Sequence, residues 1–163
     1  MRLLINCINL ILGYTFYTIG ITYPIRNVYI SSQISNEQIF YIQNSIAKFN
    51  LTRTYDKNSN HIRIQYDNNI IGNTAMSAFL YSIGSFVVSD TTISFHPNLY
   101  DNVLGCIILH EIGHSLGLSH NNITNSIMNW TLYINEYGYI LNNNDECELS
   151  QDDLDGINYT NKL

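Results

Sequence analysis

The sequence predicts an α+β domain, and three observations carry that expectation. Strand-type alternation and helix-type spacing are segregated along the chain, in the order strand, helix, several strands, helix, long loop, helix. Of 163 residues, 45% are hydrophobic, enough for one domain with a substantial core and too many for a disordered chain. No internal repeat and no linker interrupts the pattern.

Taken in order, Ile21 to Ile25 alternates apolar and polar residues and predicts a strand, with Pro24 at an edge or an end. Ser35 reads as the cap of a first helix. Ile39, Ile42, Ile46 and Phe49 recur at helical spacing up to about Asn50. Thr52 to Asn60 is a polar loop, and His61 to Tyr66 alternates as a strand. Thr74 to Ser82 and Gly84 to Phe95 carry further β-type runs. Asp101 reads as the cap of a second helix running to about Leu116, with Gly117 where a helix-ending glycine belongs. Ser119 to Glu148 is loop-like. Ser150, Gln151, Asp152 and Asp153 form the start signal of a short last helix.

Seven Lys and Arg against thirteen Asp and Glu give a formal charge of −6, which argues against nucleic acid as a partner. No apolar run reaches the ~18 residues of a membrane span. Residues 1–20 begin Met1, Arg2 and then a short apolar stretch, the pattern of a secretory signal peptide, so the domain is expected over 21–163. Cys106 and Cys147 can pair in an oxidising compartment or stand as separate thiols. Asn50, Asn122, Asn129 and Asn158 each open an Asn-x-Thr sequon.

The chemistry is concentrated in residues 110 to 120, His-Glu-Ile-Gly-His-Ser-Leu-Gly-Leu-Ser-His. His110 and His114 lie four apart, so on a helix their rings project from one face and can grip one zinc ion. Gly117 can take positive φ and stop the helix. The chain then turns back, and His120 supplies a third nitrogen. Three protein ligands leave a fourth position open for water, which is the catalytic arrangement. Glu111 falls beside the metal rather than on it, placed to act as general base and then as acid. Three of the five histidines fall within these eleven residues, which makes a shared role far more plausible than three unrelated ones.

This motif resembles that of the metzincin zinc peptidases, and the wider match is similar to the matrixin catalytic domain. The resemblance covers most of 21–160 and implies a mixed twisted sheet, an active-site helix, a methionine turn and a short C-terminal helix. By that resemblance Met128, in Ser126-Ile127-Met128, is the methionine beneath the ligands. Leu149 to Ile157 matches the terminal helix, whose paired acids, here Asp152 and Asp153, anchor it near the site. Matrixins also carry a structural zinc and calcium ions. Here the region before the active helix offers only Asp90 and His96, which gives little ground for either. The family's Pro-x-Tyr wall after the methionine is replaced by Asn129, Trp130 and Thr131.

The expected protein is therefore a secreted, monomeric zinc endopeptidase acting on extracellular or matrix-type proteins. Its substrate would lie extended and antiparallel along an edge strand within Thr74 to Ser82. The rival expectation is a zinc-holding module that binds a peptide or partner without cutting it. Glu111 separates the two, because a pure metal clamp has no use for a base there.

Overall fold

The computed structural model describes residues 27–58, 62–70, 75–81, 88–129 and 147–160. The strand expected at Ile21 to Ile25, the leader and Trp130 lie outside them. Among the described residues, β1 is Asn27–Ile30, α1 Asn36–Lys48, β2 Thr52–Thr54, β3 Ile62–Tyr66, β4 Ala75–Tyr81, β5 Val88–Phe95, α2 Asp101–Ser115 and α3 Gln151–Thr160. The strands form one five-stranded sheet in the order β2-β1-β3-β5-β4. All neighbours pair parallel except β4, which runs antiparallel to β5 and lies at the sheet edge. Parallel neighbours need crossover connections, and α1 supplies the one between β1 and β2.

The register decides which residues enter the core. Ile62 faces Thr91 and Ile64 faces Ile93 across β3 and β5, so these alternate positions share one face. Val28, Ile62, Ile64, Ile93 and Phe95 are fully buried there, under α1 and α2. Phe95 also meets Tyr66 edge to face, with ring centroids 5.3 Å apart. On the other face Arg63 and Asp90 form an ion pair at 2.7 Å.

The expected Ser35 cap is in place: its hydroxyl accepts from Gln38 N–H at 3.2 Å, which satisfies a donor that the first turn leaves open. α1 buries Ile42 and Ile46, and Ser45 Oγ donates to Gly105 O of α2 at 2.7 Å. That bond ties the two helices together where they pack. α2 is apolar around most of its girth, with Val103, Leu104, Ile107, Ile108, Leu109 and Ile112 all buried, as suits a helix inside a core.

Two local expectations are corrected. The helix cap is Tyr100, not Asp101, and it makes no side-chain capping bond; Asp101 sits in the first turn, where its charge suits the helix dipole. The loop expected at Thr52 to Asn60 begins with β2, a three-residue strand held in the sheet by backbone pairing to β1. Backbone pairing demands no apolar alternation, so the polar side chains there gave no strand signal.

Cys106 and Cys147 are joined by a disulfide, with Cα atoms 5.2 Å apart. It ties α2 to the segment leading into α3. Lys48 Nζ adds to this junction, donating to Cys147 O at 2.8 Å and pairing with Glu148 at 2.7 Å.

Candidate metal centre

α2 carries His110, Glu111 and His114 in its last two turns. The helix then ends in a Schellman motif. Leu118 N–H donates to Gly113 O at 3.0 Å and Gly117 N–H to His114 O at 2.9 Å, with Gly117 at φ 98°. That left-handed conformation is costly for a residue with a Cβ, so glycine at 117 lets the chain reverse and bring His120 back over the helix.

The three rings converge. His120 Nε2 stands 3.1 Å from Nε2 of His110 and 3.1 Å from Nε2 of His114. Bonds of ~2.1 Å to one tetrahedral ion put ligand nitrogens roughly 3.4 Å apart, so the spacing suits a shared cation. His110 Nδ1 lies 2.6 Å from Ile127 O, and His114 Nδ1 lies 2.9 Å from Leu118 O. A carbonyl oxygen only accepts, so in each ring Nδ1 carries the proton and Nε2 presents a lone pair to the common point.

Electrostatics keep the rings neutral. Burial lowers the His110 imidazole below its usual range. Burial, then the neighbouring His110, pushes His114 down to about 3. His120 is lowered by burial and by His110, while Glu111 acts in the opposite sense. Unprotonated nitrogens crowded together, with protonation disfavoured, are a donor set that a divalent cation satisfies. Among the described residues this is the one cluster of metal-ligating side chains close enough to hold an ion.

The supports come from the segment that follows α2 and from the start of α3. Met128 is 1% exposed, and a Cβ built on Gly113 would overlap its sulfur, so the methionine is seated directly against the ligand-bearing helix. Asp153 is 1% exposed and grips the turn before that methionine. It accepts from Ser126 Oγ at 2.6 Å and from Ile127 N–H at 3.0 Å. It also accepts from Ser150 N–H at 2.8 Å, while Asp153 N–H returns a bond to Ser150 Oγ at 3.2 Å. The Ser-x-x-Asp signal is thus a realised capping box whose acid has a second task. Asp152, raised by burial and by Asp153, accepts from Asn121 Nδ2 at 3.1 Å.

All six expected site residues meet here: His110, His114 and His120 at the convergence point, Glu111 buried beside His110 on α2, Gly117 at the reversal and Met128 beneath. Sequence reasoning missed Asn121, Ser126 and the carbonyls of Leu118 and Ile127. Backbone carbonyls leave no trace in a sequence, and Asn and Ser are ordinary loop residues.

Comparisons with known proteins agree with this architecture. The family model described as matrixin matches residues 21–160. One similar solved structure is high choriolytic enzyme 1, a hatching enzyme zinc-protease from the medaka fish Oryzias latipes. It is 16% identical, with a TM-score of 0.55, over 85% of this chain and 90% of that one. Another is the GM1 bound form of the ECX AB5 holotoxin, at 14% identity and a TM-score of 0.59, over 91% of this chain and 84% of that one. At these identities the two likenesses speak for the fold. No curated protein sequence matches. Fold and site together define a zinc metalloendopeptidase. The chain belongs to the matrixin family, and its three-histidine cluster fits that family's catalytic zinc ion.

Proposed function

We propose that His110, His114 and His120 hold the catalytic zinc and that Glu111 is the general base for hydrolysis of peptide bonds in extracellular proteins. The observation that carries this reading is the convergence of the three Nε2 atoms, with the His110 and His114 tautomers set by backbone carbonyls. Bound there, zinc supplies a Lewis acid that polarises the scissile carbonyl and acidifies water.

The remaining steps fall to the chain. Glu111 takes a proton from the attacking water as its oxygen bonds to the carbonyl carbon. As the C–N bond breaks, the same carboxyl delivers that proton to the leaving amine. The substrate lies extended against the edge of β4 and adds backbone hydrogen bonds to the sheet; the edge position of β4 supports this. Gly117 and Met128 act as structural supports. The domain is 21–163 behind a leader of 1–20, and the disulfide fits an oxidising, extracellular setting. No helix among the described residues is long and apolar enough to cross a membrane.

The test is cleavage of a quenched peptide library by zinc-loaded protein, with and without chelator, and by Glu111→Ala. Chelation should abolish cleavage. The Ala variant should keep its zinc and lose roughly 10²–10⁴-fold in kcat/KM. Unchanged cleavage by the variant removes Glu111 from the reaction, and no cleavage by the loaded wild type favours a binding module.

A further inference from the structure

His110 and His114 make Nδ1–H bonds to backbone carbonyls, and the chain that carries His120 is held at the residue that follows it. Asn121 is 8% exposed, and its backbone N–H donates to Met128 O at 2.9 Å. Its amide is used at both ends. Nδ2 donates to Ser126 Oγ at 2.8 Å and to Asp152 Oδ2 at 3.1 Å, while Oδ1 accepts from Ile123 N–H at 3.1 Å. One side chain therefore joins the third histidine's segment to the methionine turn and to α3.

We infer that Asn121 is a positioning residue for His120, setting the third ligand's place through an amide wired to Ser126 and Asp152. The inference rests on the three-histidine zinc reading above. The peptide unit between His120 and Asn121 is clamped by the Asn121 N–H bond to Met128 O. Turning that unit would move His120 Cα and swing its ring off the convergence point.

The local chemistry specifies an amide at 121. Ser126 gives its own hydrogen to Asp153 Oδ1, so toward residue 121 it can only accept. The Asp152 carboxylate also accepts. Position 121 must therefore offer two N–H groups and an oxygen. An Asp has the right shape and the wrong polarity, with oxygens facing the Ser126 oxygen and the Asp152 carboxylate.

The experiment measures zinc affinity by competition with a chromogenic chelator, together with kcat and KM on a quenched peptide. Variants Asn121→Ala and Asn121→Asp should weaken zinc binding roughly 10- to 100-fold. In the loaded state they should lower kcat while KM stays within about twofold, since Asn121 is not placed against substrate. Asn121→Asp should be no better than Ala despite its shape. Adding Asp152→Asn to it restores a donor opposite an acceptor and should recover part of the affinity. Zinc affinity within twofold of wild type in both single variants overturns the inference, even if thermal stability falls. If neither variant folds, Asp152→Ala replaces them: it deletes only the far acceptor and should weaken zinc binding several-fold, and unchanged affinity overturns the inference. A wild-type chain that takes up no zinc instead overturns the zinc reading itself.

Discussion

Gly113 and Met128 show how a single atom governs the site. The methionine sulfur occupies the space that a Cβ on Gly113 would take, between the two histidines of the ligand helix. Gly113→Ala gains about 1 kcal/mol of helix propensity, yet overpacking of this kind costs about 1–3 kcal/mol. Denaturant unfolding should show a net loss, and Gly113→Ala should cost less in a Met128→Ala background, although that truncation itself opens a cavity worth about 2–5 kcal/mol. The same scale sets the acid response of the metal-free protein. His114 is pushed down to about 3 when folded, from the ordinary 6.5 of an exposed ring. The unfolded chain therefore binds more protons between those values, and folding stability falls as pH drops from about 6.5 toward 3. His110 and His120 shift in the same direction. Melting temperatures with chelator present should be level above pH 7 and fall below about pH 6.5; a melting temperature that rises on acidification contradicts this. The ligands were legible at this scale because their spacing is their geometry. Asn121 was not, since an Asn facing solvent and one serving three partners read alike in a loop.

At the level of elements, α3 acts as a clamp. Asp153 closes its own helix's capping box and holds the Ile127 N–H, while the carbonyl of that same residue receives His110 Nδ1–H. A helix some forty residues downstream thus reaches the first ligand through one buried carboxylate and one backbone residue. Asp153→Ala leaves the Ile127 N–H and the Ser126 hydroxyl buried without this acceptor. It should cost about 3 kcal/mol or more. Zinc should also bind more weakly, since the carbonyl that orients His110 loses its anchor. Calorimetry and chelator competition on one preparation read both effects; an intact melting temperature would refute the clamp. Most elements were readable here. α1 announced itself through Ser35 and its apolar spacing, and α3 through Ser150 and Asp153. β2 was hidden because Thr52–Thr54 joins the sheet by backbone pairing, without the alternation that marks a half-buried strand. The α2 cap was misplaced by one residue because an acid at the first helical position looks like a cap in sequence.

Across the whole molecule, the disulfide closes a loop between positions 41 apart that contains every ligand and the methionine turn. Closing such a loop restricts the unfolded chain and is worth about 4 kcal/mol on loop entropy. Reduction by a dithiol under mild denaturation should therefore lower the melting temperature by roughly 10 °C. Cys106→Ala with Cys147→Ala should reproduce that drop without any reductant, and an unchanged melting temperature in the double variant would show that the bridge adds nothing. From sequence this bond was one of two options, because pairing depends on Cα separation and a linear chain does not display it. The sheet order was equally out of reach, being set by crossovers rather than by any local pattern.

The bridge has one more consequence. A protease is exposed to its own activity, and any single cut between Cys106 and Cys147 falls inside the loop that the disulfide closes. Since Cys106 precedes the first ligand and Cys147 follows the last, a chain severed once in that stretch still travels as one covalent body, with all three imidazoles on the same piece. Self-cleaved protein should run as two fragments on a reducing gel, run intact without reductant, and go on digesting peptides.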